Sequence, residues 1–99
     1  MLQMRKESKD KKMFYFLEGR LDTVTSPELE SELKAVMENI DELILDLEKL
    51  DYISSAGLRV LLSAHKVMNK KGSMKLVHVG SSLMEIFEVT GFSDILTIE

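Results

Sequence analysis

Apolar residues recur in two alternating periods along this chain. Leu2 and Met4 alternate with polar neighbours, the pattern of a short edge strand. Met13-Phe14-Tyr15-Phe16-Leu17 is a continuous apolar run, which predicts a strand covered on both faces. Lys9 to Lys12 reads as a polar turn between the two. Glu18-Gly19-Arg20-Leu21-Asp22 leaves the second strand, with Gly19 marking a bend or a close approach. The period then becomes helical: Leu29, Leu33, Val36, Met37 and Ile40 fall at i, i+4, i+7, i+8 and i+11. Thr25-Ser26-Pro27-Glu28 is the start signal. Either Ser26 caps with Pro27 at the first helical position, or Thr25 caps and Glu28 closes a capping box.

Leu43-Ile44-Leu45-Asp46-Leu47 predicts a second central strand, with Asp46 the one polar interruption. A short acidic loop leads from it to Ser54-Ser55. The helix behind them carries Leu58, Val60, Leu61, Leu62, Ala64, Val67 and Met68 on more than one face, so it is either well buried or turned toward a partner. Gly72 should stop it, just past Lys70-Lys71, which complement the helix dipole. Met74 to Val79 is a strand. Ser82-Leu83-Met84-Glu85 has the form of a capping box opening a short helix that Gly91 ends, with Phe92 packing behind the glycine. Ile95 to Ile98 is a last strand.

The order is thus β-β-α-β-α-β-α-β, an α/β fold with a mixed, mostly parallel sheet, packed helices and right-handed crossovers. Ninety-nine residues at 44% apolar content suit one domain spanning 1–99, with a real core. The seven methionines mostly fit core positions within these periods.

Charge and composition narrow the function. The net charge of −4, from 17 acidic and 13 basic residues, argues against a nucleic-acid binder. No apolar run nears the ~20 residues that cross a bilayer, so no membrane insertion is expected. The N-terminal residues lack the apolar centre of a secretory signal. With no cysteine present, a cytoplasmic setting is the simplest expectation.

Catalytic chemistry finds little support. Ser55 and His65, ten residues apart on one helix, stand about 15 Å apart at ~1.5 Å per residue, too far for a nucleophile and its base. There is no Gly-x-Ser-x-Gly elbow, no phosphate-binding glycine loop and no ligand-spaced His or Cys set. Neither an enzyme, a metal nor a cofactor is expected. Asp22, Asp46 and Asp51 all fall near strand ends, where an acidic cluster could hold a divalent cation but is more often simply solvated.

Ser54-Ser55 are the residues with a second possibility. A serine before a helix is an ordinary cap. The same position offers partial positive charge and free N–H groups, so a phosphate there would meet a favourable field.

Three segments carry a resemblance. Leu17-Glu18-Gly19-Arg20-Leu21-Asp22, the stretch from Leu45-Asp46-Leu47 to Tyr52-Ile53-Ser54-Ser55-Ala56-Gly57-Leu58, and Val89-Thr90-Gly91-Phe92 together resemble the STAS domain, within it the anti-sigma factor antagonists. The resemblance runs the full length and is most specific at the serines. It implies a binding protein, expected to be monomeric. Such a protein holds an anti-sigma factor that is also a serine kinase, lets go once phosphorylated, and is reset by a serine phosphatase. Aligned on Gly57-Leu58, the phosphoacceptor falls on Ser55. Asp22, Thr23, Ser54, Ala56, Gly57, Leu58 and Arg59 are the implied partner-binding residues. The chain departs from the family pattern Asp-Ser-Ser/Thr-Gly-Leu-Gly at three places. Ser54 stands for the acid and becomes an alternative acceptor, Ala56 for the Ser/Thr, and Arg59 for the second glycine. Arg59 falls on the side of Ser55, where it either pairs with a phosphate or serves as a surface partner contact. The alternative function is a STAS adapter that is not phosphorylated and docks to a transport ATPase or a sensory complex.

Overall fold

The computed structural model describes residues 1–99. Its elements run β1 (Leu2–Lys9), β2 (Lys12–Leu21), α1 (Ser26–Met37), β3 (Glu42–Ile53), α2 (Ser55–Asn69), β4 (Ser73–Val77) and α3 (Ser81–Thr90), followed by a short 3-10 turn at Phe92–Asp94. The sheet order is β1-β2-β3-β4. The β1–β2 pair is an antiparallel hairpin turning at Asp10-Lys11, and β2–β3 and β3–β4 are parallel pairs joined through α1 and α2. The last expected strand is present as one parallel bridge, Leu76 to Ile98, beside β4.

Strand parity sorts the sheet into two faces. Tyr15, Leu17, Leu43, Leu45, Leu47, Met74 and Leu76 point to the helices. They join Leu29, Leu33, Leu61, Met68, Leu83 and Phe87 in a core cluster of 23 buried residues. The opposite face carries Phe14, Phe16, Ile44 and Val77. Ile44 is buried on this face yet stands outside the core cluster.

The apolar run at 13–17 is therefore covered by helices on one face only. Phe16 on the other face lies under the Arg5 guanidinium, 4.2 Å from the ring centroid, and Phe14 under Lys12 at 5.8 Å. Aliphatic stems and cation–π contacts shield these rings where no helix does.

Two further expectations change. The acidic segment after Leu47 is not a loop. β3 continues to Ile53, pairing Glu18, Gly19, Arg20 and Leu21 of β2 through two register shifts. A bulge keeps an irregular, polar stretch in the ladder, which the acidic composition hid. The capping boxes also do not form. Thr25 before α1 makes no side-chain cap bond, and α3 starts at Ser81 behind Gly80, so Ser82, the expected cap, lies inside the helix. Pro27 does stand in the first turn of α1, and Gly91 ends α3 in the left-handed conformation at φ 83°. Gly19 is held at φ 106° with its α-carbon against the Met1 carbonyl, the close approach its position announced.

Candidate functional site

Two strand ends and one helix start meet beside the centre of the sheet. Leu21 of β2 pairs with Ile53 of β3, and the Ser54 N–H donates to the Leu21 carbonyl at 2.9 Å. The residues that follow each strand, Asp22 and Ser54, are thereby set close together. Gly57 lets α2 settle onto these ends. A β-carbon there would stand 2.8 Å from Leu21 Cγ and 2.9 Å from Ile53 Cγ1.

The two serines have separate roles in the local structure. Ser54 is extended, at φ −97° and ψ 175°, and is the N-cap. Its Oγ accepts from the Gly57 N–H at 3.3 Å, and its carbonyl accepts from the Leu58 N–H at 2.9 Å. Ser55 is the first helical residue. It is exposed, and its hydroxyl makes no hydrogen bond within the protein. Ser54 thus holds the helix start together and leaves the Ser55 oxygen free beside the positive end of α2.

The loop after β2 is built by Asp22 and Thr25. One Asp22 carboxylate oxygen accepts from the N–H groups of Val24 and Thr25, both at 3.0 Å. The Thr25 hydroxyl donates to the Arg20 carbonyl at 2.7 Å and accepts from the Asp22 N–H at 2.9 Å. The Thr25 side chain thus faces back into the loop instead of capping α1. The Thr25 N–H bond is the main cause holding the Asp22 carboxyl below its ordinary range, so it stays charged. This geometry presents Thr23 and Val24 to solvent, with Val24 80% exposed. On the strand just before the serines, Tyr52 lies under Arg20, whose guanidinium is 4.3 Å from the ring centroid. Asp51 is exposed beside it.

A shallow groove of about 310 Å³ runs from here between α1 and α2. Ala56, Arg59 and Val60 line one wall; Ser26, Pro27 and Glu30 line the other, and Thr23 stands at its end. Of the residues expected at the site, Asp22, Thr23, Ser54, Ser55, Ala56 and Arg59 surround this end of the molecule. Gly57 and Leu58 are buried, and they serve it by placing the helix.

Asp46 does not join Asp22 and Asp51. It lies five residues further back along the strand pair, roughly 16 Å. On the open face one carboxylate oxygen each of Asp46 and Glu48 and a ring nitrogen of His78 lie within 4.8 Å of one another. One oxygen meets His78 Nδ1 at 2.8 Å, and the other accepts from the Glu48 N–H at 2.9 Å. The hydrogen bond to Asp46, more than its charge, raises the His78 pKa above the ordinary value. The grouping is accounted for by these bonds, which fasten the bulge of β3 to the end of β4.

Sequence reasoning missed Val24, the Arg20–Tyr52 stack and the Asp46–His78 pair. A cross-strand stack and a pair 32 residues apart leave no local signal. Val24 looks like any loop valine until the Asp22 turn is seen to push it outward.

The chain belongs to the STAS domain family, whose match covers residues 3–99. BtrV of Bordetella bronchiseptica, provisionally named an anti-sigma factor antagonist, is 38% identical over 84 residues, which are 83% of this chain and 72% of that protein. The anti-sigma-B factor antagonist of Bacillus subtilis is 32% identical over 81 residues, 81% of this chain and 74% of the relative. The structure also superposes on the Bacillus anti-sigma factor antagonist SpoIIAA with a TM-score of 0.78 at 15% identity. The unphosphorylated form covers 100% of this chain and 87% of SpoIIAA, the phosphorylated form 98% and 91%. At that identity the likeness shows a shared fold.

Proposed function

We propose that this chain is an anti-sigma factor antagonist working by partner exchange. Unmodified, it binds an anti-sigma factor that is also a serine kinase. The kinase transfers the γ-phosphoryl group of ATP to Ser55: the Oγ–P bond forms, the bond to the β-phosphate oxygen breaks, ADP leaves and the hydroxyl proton is released. The modified protein lets go, and a serine phosphatase hydrolyses the ester. The chain acts as one domain and one copy, in the cytoplasm, as a binding module with no reaction of its own.

One observation carries this reading: the Ser55 oxygen is exposed and unbonded at the first residue of α2, while Ser54 supplies the cap. Modifying Ser55 costs the fold no hydrogen bond; modifying Ser54 would cost the cap. Near it are the exposed Thr23 and Val24 and the Arg20–Tyr52 stack; tyrosine and arginine are residue types that anchor interfaces. A phosphate adds ~1.5 to 2 negative charges to a surface that already holds Asp22 and Asp51, so a partner shaped to a neutral hydroxyl is repelled.

The test takes purified serine-kinase anti-sigma factors of the source genome with ATP. One phosphate is expected, mapped to Ser55 by mass spectrometry and lost in Ser55→Ala. A phosphate mapped only elsewhere rejects the assignment. Stable binding with no phosphate transfer points to an adapter instead.

A further inference from the structure

The groove beside Ser55 holds a cation that the fold itself does not use. The chain has three arginines. Arg5 pairs with Glu7 at 3.0 Å and covers the Phe16 ring; Arg20 reaches Asp22 at 3.7 Å and covers Tyr52. Arg59 has neither a carboxylate within salt-bridge distance nor an aromatic ring beneath it. It stands exposed on α2 and is the one cationic residue lining the groove. Glu30 on the opposite wall is the one acid there, and the two do not form an ion pair.

Position gives this free guanidinium a second neighbour. Ser55 lies four residues earlier on the same helix. Residues at that spacing have β-carbons ~5–6 Å apart, within reach of an arginine. A hydroxyl gives the guanidinium no charge to hold it. A phosphate gives it three acceptor oxygens, and the planar fork of arginine matches them with paired hydrogen bonds.

We propose that Arg59 is a shared cation: open to a carboxylate of the docked partner while Ser55 is bare, and closed onto the phosphate once Ser55 is modified. The proposal rests on the reading of Ser55 as the modified residue. Both consequences weaken the complex in the same direction. The phosphate adds negative charge to the groove, and it withdraws the positive charge that the partner's acidic side chain would meet. The partner is thereby given a chemistry: it presents an Asp or Glu to the α2 wall of the groove. A lysine at this position would release the partner less completely, since its ammonium holds phosphate as a point charge without the fork.

The experiment installs phosphoserine at position 55 during synthesis and follows its titration by phosphorus NMR. This needs no kinase, so a kinase that modifies another residue would sink the proposed function without touching this result. In the wild-type phosphoprotein the second phosphate ionisation should lie about half a unit below that in Arg59→Gln, with Arg59→Lys between them. Superimposed titrations overturn the phosphate half of the proposal. For the other half, unmodified Arg59→Gln is titrated with the purified anti-sigma kinase. A loss of affinity of about tenfold or more is expected, that of a charge-assisted hydrogen bond, while the urea midpoint of the free variant matches wild type. Unchanged affinity overturns the carboxylate half, and a lowered urea midpoint reveals an internal partner and overturns the idea of a free cation.

Discussion

Ser54 and Ser55 are adjacent and chemically identical, and the backbone alone separates them. The extended conformation at Ser54 aims its oxygen at the Gly57 N–H, and the helical turn at Ser55 aims its oxygen away. Ser54→Ala should lower the unfolding free energy by about 1 kcal/mol through loss of the cap. Ser55→Ala should leave it within about 0.5 kcal/mol. Urea denaturation of both variants checks this, and equal losses would mean the hydroxyls share the cap. Gly57→Ala adds a β-carbon between Leu21 and Ile53 and should cost about 1–3 kcal/mol from overpacking. The serine pair and the helix behind it were legible in sequence because caps are written in residue types. Which serine does the capping was not, since both types fit and only the dihedral angles decide.

At the scale of the elements, helices and strand centres were legible because their apolar periods are local. Two expectations changed because polarity is not a direct guide to environment. The acidic run after Leu47 belongs to β3, where a bulge turns Glu48 and Lys49 outward and returns Leu50 to the core. The aromatic run in β2 is apolar on both faces, but basic side chains cover one of them. The clip between β3 and β4 gives a pH prediction. His78 has a folded pKa raised above 6.5 by its hydrogen bond to Asp46. Its contribution to stability is fully present below that value and is lost as pH rises through the raised one. The stability difference between wild type and His78→Gln should therefore shrink as the solution passes from acid through neutral to mildly alkaline. A difference that grows over that range would contradict the assignment. Asp22 behaves oppositely. Its lowered pKa makes the loop contribution present above 3.8 and lost as pH falls through the depressed value, so Asp22→Asn should resemble wild type most closely in strong acid.

Across the whole molecule, the residues that hold the fold and those proposed to meet a partner fall in different places. The 23-residue core lies between the sheet and its helices, while the site occupies the rim where β2, β3 and α2 end or begin. Leu21, Ile53 and Gly57 tie that rim to the core without involving the Ser55 oxygen. Phosphorylation should thus change recognition and leave the architecture in place. The sequence showed the order of the elements and the serines. Asp22, Thr23 and Ser54 were reached as rim residues only through the family resemblance, because Asp22, Tyr52 and Ser54 become neighbours through strand pairing that no local pattern encodes.

The most direct measurement is calorimetric titration of the purified anti-sigma kinase with this protein carrying either serine or phosphoserine at position 55. Tight binding of the serine form, a loss of at least tenfold with phosphoserine, and a free phosphoserine protein at least as stable as the free serine form are the result expected here. Equal affinities, or a phosphoserine form that no longer folds, would contradict a surface oxygen acting as the switch.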